Sequence, residues 1–118
     1  MILDGLVTLA LSPVLLFQAV QLRRRALRLP EADGPRDGIA GDGPVLRILI
    51  IGDSSAAGVG VATQDLALAG QLAAALCPLH CVHWQLIAST GATTPTTLAE
   101  LEARTLPAAD IVLVVLGV

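Results

Sequence analysis

The stretch RILIIGDSSAAGVG, residues 47–60, decides how the chain begins to fold. It opens with branched aliphatic residues and changes abruptly to small and polar ones at Gly52. A short apolar run bounded by turn residues is typical of a buried parallel strand, so we predict a strand over residues 45–51. In parallel α/β sheets the chemistry lies beyond the carboxyl ends of the strands. The turn 52–60 is therefore the first candidate site.

Downstream of this first strand, segments with helical and strand-like patterns alternate. Residues 63–77 carry Ala and Leu at helical spacing, and Thr97 with Glu100 matches a capping box at the start of a second helix. The predicted elements are, in order, a strand at 45–51, a helix at 63–77, a strand at 81–89, a helix at 97–104 and a strand at 110–117. The order β-α-β-α-β predicts a parallel sheet with right-handed crossovers.

Composition and charge narrow the class of protein. The chain has 118 residues, 54% of them hydrophobic, 14% charged and 2% aromatic, which suits one domain of small aliphatic residues. The net charge is −3, and all seven basic residues are arginine. Because no basic stripe with interleaved aromatics exists, we expect no nucleic-acid partner.

The N-terminal residues 1–29 are predicted to be a hydrophobic helix that anchors the protein in a membrane. The apolar part runs from Leu6 to Leu22 and is closed by Arg23–Arg25. About 17–25 residues are needed to span a bilayer as a helix. A cleaved signal peptide would carry its positive charge before the apolar part, whereas here Asp4 precedes it and the arginines follow. The positive-inside rule then places the rest of the chain on the cytoplasmic side. A peripheral helix, packed on the domain or lying at the lipid interface, is the alternative.

Residues 30–44, PEADGPRDGIAGDGP, are rich in Pro, Gly and Asp. Such a composition buries little apolar surface and predicts a flexible linker. The folded domain is therefore expected to comprise residues 45–118.

Ser54, in the sequence GDSS, is the candidate nucleophile. At the carboxyl end of the first strand it would present its hydroxyl above the sheet, and the small neighbours Ala56, Ala57 and Gly58 would leave room for an acyl group. The alternative is that Ser54 or Asp53 merely caps the next helix or bonds the turn backbone.

The second turn, STGATT at residues 89–94, should lie beside the first turn on the same edge. The N–H of Gly91 could point at a developing oxyanion, although an ordinary tight turn also favours glycine. A nucleotide-binding α/β module is a further alternative. However, Gly58-Val59-Gly60 lacks the third glycine of the dinucleotide motif, and the chain has no lysine for a phosphate loop.

ILIIGDSSAAGVG, ASTGATT and DIVLVVLGV, in this order, resemble the opening of the SGNH, or GDSL-type, hydrolase family of esterases and lipases. The resemblance implies a three-layer α/β/α flavodoxin-like parallel sheet, of which residues 45–118 would form only the first β-α-β-α-β part. It implies that Ser54 is the nucleophile and also an oxyanion-hole N–H donor, that Gly91 is a second donor, and that Gly52 and Asp53 support the turn.

The resemblance also implies residues outside this sequence. The oxyanion-hole asparagine is expected directly after Val118, and the base histidine with its aspartate further downstream. The expected function is two-step hydrolysis of a small-molecule or lipid ester, without metal or cofactor, and the 118-residue chain by itself is expected to be inactive. A catalytically silent relative that only binds ligands in the cleft is the alternative from another class.

His80 and His83 surround the start of the second predicted strand, at the opposite end from Ser54, so neither is expected to be the base. Together with Cys77 and Cys81 they also invite a metal site. Four ligands within seven residues do not readily close a tetrahedron, so we expect reduced thiols and no metal. Trp84 is expected to serve packing.

Overall fold

The computed structural model describes residues 1–117, and the C-terminal Val118 lies outside the described residues. The helices are α1 (Ile2–Arg25), α2 (Ser54–Ala57), α3 (Leu68–Leu76) and α4 (Thr94–Glu102), with a short 3-10 turn at Gln64–Leu66. The strands are β1 (Asp37–Ala40), β2 (Val45–Gly52), β3 (Cys81–Ala88) and β4 (Ile111–Val115). The protein is thus an α/β protein preceded by an apolar helix, as predicted.

The four strands form one mixed sheet in the order β1-β3-β2-β4. Strand β2 pairs in parallel with both β3 and β4, which confirms the predicted parallel arrangement of these three strands. Gly52, the last residue of β2, lies beside Ala88 of β3 and Val115 of β4. Three parallel strands therefore end at the same edge of the sheet, and the turns that follow them are neighbours.

Residues 30–44, expected to be a flexible linker outside the domain, instead contribute to the folded sheet. Strand β1 lies within this segment and pairs antiparallel with β3, and Ala32 is buried. The Leu86 N–H donates to the Arg36 carbonyl over 2.7 Å, which extends the contact upstream of β1. Composition missed this strand because its stability comes from backbone pairing with the free edge of β3 rather than from its own apolar side chains.

Helix α4 begins three residues earlier than predicted. Its capping box is formed by Thr93 and Thr96, with the Thr93 N–H donating to the Thr96 hydroxyl over 2.9 Å. Thr97, the predicted cap, is buried inside the helix, and Glu100 pairs with Arg104 instead. The stretch has four threonines at 93, 94, 96 and 97, so the pattern fits more than one register. The helix at 63–77 is likewise shorter, since residues 64–66 form the 3-10 turn.

Alternate residues of β2 face opposite sides of the sheet and enter two apolar clusters. Ile48 and Ile50 pack with Ala69 and Ala73 of α3, whereas Leu49 and Ile51 pack on the other face, where Leu101 of α4 joins them. Helices α3 and α4 thus cover opposite faces of the sheet. Burying β2 on both faces fixes the strand that carries the candidate nucleophile at its end.

Helix α1 is long and apolar enough to cross a membrane, by length and composition. Its 24 residues correspond to about 36 Å, against a bilayer core of about 30 Å. Its mean hydropathy reaches 1.8 and none of it is buried against the rest of the chain. The Thr8 and Ser12 hydroxyls donate to carbonyls one turn earlier over 2.8 Å, so these polar groups are satisfied within the helix. Arg23–Arg25 occupy its last turn.

Candidate active site

The turns after β2, β3 and β4 enclose a cleft at the carboxyl edge of the parallel strands. It has a volume of about 500 Å³ and brings together residues from all three turns. Its lining consists of Asp53, Ser54, Gly91, Ala92, Thr93, Thr94, Pro95 and Gly117. The structure thus places Ser54, Asp53 and Gly91 around one cleft, as expected from the rule for parallel sheets.

Ser54 is the first residue of α2, a single helical turn that starts directly after β2. Its carbonyl accepts the Val59 N–H over 3.1 Å, which fixes the backbone of the turn. Its side chain is half-buried, and none of the side-chain hydrogen bonds among residues 1–117 involves its hydroxyl. The hydroxyl therefore remains available to a ligand in the cleft.

Ala56, Ala57 and Gly58, expected to leave room for an acyl group, are buried beneath the turn. Ala56 packs in the same apolar cluster as Ile50. Their small side chains therefore let α2 lie close to the sheet, and they line no part of the cleft. The space beside Ser54 comes instead from the turn that follows β3.

Asp53 caps α2 and ties the turn to the end of β4. Its Oδ1 accepts the Ser55 N–H over 2.9 Å and its Oδ2 accepts the Gly117 N–H over 2.5 Å. Its own N–H donates to the Val115 carbonyl over 3.0 Å. The Ser55 and Gly117 N–H groups favour the charged carboxylate and hold the pKa of Asp53 below its usual 3.8. The capping role weighed for both residues therefore falls to Asp53 and not to the Ser54 hydroxyl.

Gly52 allows the close approach of α2 and β4. A Cβ at this position would lie 2.6 Å from the Ala56 Cβ and would also overlap the Val115 carbonyl oxygen. Any larger residue would push the first turn of α2 away from the strand ends. The glycine of the G-D-S sequence thus has a steric role next to Ser54.

Gly91 lies in the turn after β3 with a positive φ of 79°, a conformation that favours glycine. No atom lies within 4 Å of where its Cβ would be, so the position is open. The neighbouring Ala92 N–H donates to the Ser89 carbonyl over 3.1 Å, which closes the turn. The Gly91 N–H itself has no acceptor in the described part of the chain, so it is free to bind a ligand oxygen.

The sequence did not reveal the role of Glu31. Its carboxylate accepts the Thr90 N–H over 2.6 Å and the Thr90 hydroxyl over 2.9 Å, and it pairs with Arg36 over 2.5 Å. The Thr90 N–H, followed by the Arg36 guanidinium, holds the pKa of Glu31 below its usual 4.5, although partial burial opposes the shift. No local pattern identifies Thr90, 59 residues away, as the partner.

No sequence pattern predicted the contacts of Gln64 either. It is almost completely buried, and its Nε2 donates to the carbonyls of Ala32 and Ala57, over 3.1 Å each. It therefore joins the segment around Glu31 to the backbone just after the Ser54 turn. Its side-chain oxygen, by contrast, is buried and has no partner in the described residues.

His80 and His83 lie around the amino end of β3, as predicted. His83 is five residues from Ala88, or about 16 Å along the strand, too far for a hydrogen bond to Ser54. Cys77 and Cys81 are free thiols, and within residues 1–117 no group of three or more His, Cys, Asp or Glu side chains is arranged to hold a metal ion. Trp84 packs against the main apolar cluster.

Comparison of the chain with family models, curated proteins and solved structures finds no match. The class is defined by the fold and the site: an α/β protein whose parallel strands end at a cleft lined by Ser54 and Gly91, where no hydrogen bond within residues 1–117 engages the serine hydroxyl or the glycine N–H.

Proposed function

We propose that the protein is a serine ester hydrolase of the SGNH type and that Ser54 is its nucleophile. One observation carries the proposal: Ser54 and Gly91 line the same cleft, and no hydrogen bond within residues 1–117 engages the Ser54 hydroxyl or the Gly91 N–H. A nucleophile beside an oxyanion donor is the minimum that acyl transfer requires. A small-molecule or lipid ester is the proposed substrate.

In the proposed fold, β2, β3 and β4 with α3 and α4 are the first half of a three-layer α/β/α flavodoxin-like domain. The placement of α3 and α4 on opposite faces supports this assignment. Strand β1 is then an antiparallel addition to one edge of that sheet.

In the proposed reaction, Ser54 Oγ attacks the ester carbonyl while a base takes its proton. The carbonyl oxygen becomes an oxyanion that accepts hydrogen bonds from the Gly91 N–H and the Ser54 N–H. The latter is available because the first N–H groups of a helix have no partner within it. The alcohol leaves with the proton from the base, and the acyl group stays on Ser54. Water, deprotonated by the same base, then attacks the acyl group and frees Ser54.

The proposal requires a base from outside the described residues, because His80 and His83 lie at the other end of β3. Following the resemblance, the histidine, its aspartate and an oxyanion-hole asparagine are proposed to follow Val118 in the complete protein. Loss of a single oxyanion donor costs about a hundredfold to a thousandfold in rate, and loss of the base costs more. Residues 1–118 alone are therefore expected to hydrolyse esters negligibly.

Helix α1 is proposed to anchor the domain in a membrane, with Arg23–Arg25 on the cytoplasmic side. Its apolar length and its exposed surface support the anchor, and the positive-inside rule supports the orientation. A lipid ester presented at the membrane surface would then be within reach of the cleft only if the domain lies close to the bilayer.

The test compares Ser54→Ala with Ser55→Ala in the complete protein, using a short-chain p-nitrophenyl ester. Ser55→Ala is the matched control because it removes the adjacent hydroxyl and retains the N–H that Asp53 accepts. We expect Ser54→Ala to lower kcat/KM by about a thousandfold or more, and Ser55→Ala by about threefold at most. Equal activity of the two variants would refute the role of Ser54. A wild-type protein without any hydrolysis would favour the catalytically silent relative.

A further inference from the structure

The segment 31–36 connects the two turns that carry the candidate site. On one side Glu31 accepts both hydrogen bonds that Thr90 donates, directly before Gly91. On the other side the Ala32 N–H donates to the Ala57 carbonyl over 3.3 Å, just after the Ser54 turn. Residues 31 and 32 thus link the backbone on both sides of the cleft.

The Glu31 carboxylate is itself held in place. Thr90 occupies its Oε1, while one Arg36 nitrogen occupies its Oε2. The other terminal nitrogen of Arg36 donates to the carbonyl of Ala88, the last residue of β3, over 2.7 Å. Glu31 is therefore fixed to the end of the same strand that leads into the Gly91 turn. The side chain is only 30% exposed, which reduces competition from water.

We propose that Glu31 is a positioning residue that holds Thr90 so that the Gly91 N–H is fixed at the cleft beside Ser54. The inference rests on the proposed function, because the position of the Gly91 N–H affects the rate only if this N–H donates to a developing oxyanion. Two backbone hydrogen bonds also hold this turn, from the Ala92 N–H to the Ser89 carbonyl and from the Ser89 N–H to the Gly52 carbonyl. Gly91 itself lies on the surface, and the space where its Cβ would be is open. Preorganised donors are effective because they need no reorganisation during the reaction, so a loose turn would lose rate rather than substrate affinity.

The contacts require a carboxylate at position 31. Both of its oxygens accept hydrogen bonds, and all three donors come from Thr90 and Arg36. In Glu31→Gln one of the two oxygens becomes an NH₂ group, which would face either the guanidinium or the Thr90 donors. One set of contacts must therefore be lost, although the size of the side chain is unchanged.

The experiment measures kcat and KM of the complete protein with a p-nitrophenyl ester and amide hydrogen exchange over residues 89–93. The variants are Glu31→Gln and Thr90→Val, which removes one of the two donors. The matched controls are Glu102→Gln, on an exposed residue of α4, and Thr90→Ser, which keeps both donors. We expect Glu31→Gln to lower kcat by about tenfold to a hundredfold with KM nearly unchanged. It should also speed exchange at Thr90, whose N–H donates to Glu31, and at Ala92, whose N–H closes the turn. Thr90→Val should lower kcat and speed exchange less strongly. Both controls should have the kcat and the exchange rates of the wild type.

A merely structural role of Glu31 would give a different result. If Glu31→Gln lowers the melting temperature but leaves kcat per folded molecule unchanged, the inference is wrong. It is also wrong if exchange over residues 89–93 stays at the wild-type rate. Failure of the proposed function is distinguishable, because in that case the wild type itself shows no Ser54-dependent hydrolysis.

Discussion

The last residue of β2 and the two residues that follow it have separate roles. Gly52 permits the close approach of α2, Asp53 holds the turn through the Ser55 and Gly117 N–H groups, and Ser54 keeps a free hydroxyl. Because the side-chain hydrogen bonds of the turn end on the aspartate, the Ser54 hydroxyl is not needed to close it. This division leaves the serine available for chemistry.

Gly52→Ala should destabilise the fold. The added Cβ overlaps the Val115 carbonyl and the Ala56 methyl group, and overpacking of this kind costs about 1–3 kcal/mol. Urea denaturation followed by the fluorescence of Trp84, the single tryptophan, measures the change. Gly5→Ala, in open space on α1, is the control and should leave the midpoint unchanged. An unchanged midpoint in Gly52→Ala would show that α2 does not approach the strand ends this closely.

Protonation of Asp53 and Glu31 should lower the stability of the protein in acid. Both carboxyl groups have a lower pKa in the folded state than in the unfolded chain. Their contribution is therefore complete above the ordinary values of 3.8 and 4.5 and is lost as the pH falls through the lower folded values. In urea denaturation between about pH 6 and pH 3, Asp53→Asn should flatten the decline in stability. Asp42→Asn, at an exposed aspartate outside the cleft, is the control variant. A decline in Asp53→Asn as steep as in the wild type would contradict the Asp53 contacts.

Among the secondary-structure elements, apolar patterning was sufficient for β2, β3 and β4 and for the presence of α3 and α4, whereas the single turn of α2 was not predicted. It failed at β1, because Asp37–Ala40 has no β-rich pattern and its pairing depends on the free edge of β3. The start of α4 was misplaced because neighbouring threonines offer several caps. Likewise Ser54 and Gly91 could be placed at one edge by the strand-end rule, whereas Glu31 and Gln64 act through partners that no local pattern reveals.

Because β2 is buried on both faces, truncating an isoleucine there should destabilise the fold far more than truncating an exposed isoleucine on β1. Ile50 is fully buried in the sheet centre, whereas Ile39 on β1 is 68% exposed. We expect Ile50→Ala to lower the free energy of unfolding by about 2–5 kcal/mol and Ile39→Ala by about 0.5 kcal/mol or less. Urea midpoints measure both, and equal losses would contradict the burial of β2.

No residue of α1 is buried in the described part of the chain. Its insertion in a bilayer is tested with Leu11→Arg, near the middle of the helix, against Leu11→Ala. A charge at the centre of a spanning helix costs about 2.5–3.5 kcal/mol. We expect the wild type and Leu11→Ala to resist alkaline carbonate extraction and Leu11→Arg to be released in larger part. Full release of the wild type would exclude a spanning helix.

Ser54, in the cleft at the carboxyl edge, is proposed to be activated for acyl transfer by a base that follows Val118. The most direct test treats the complete protein with a fluorophosphonate, which reacts with activated serines, and locates the adduct by mass spectrometry of the peptide that contains residues 48–60. We expect an adduct on Ser54, none on Ser55, and no labelling of this peptide in Ser54→Ala. An unmodified Ser54 under conditions that fully label a known serine esterase would contradict it.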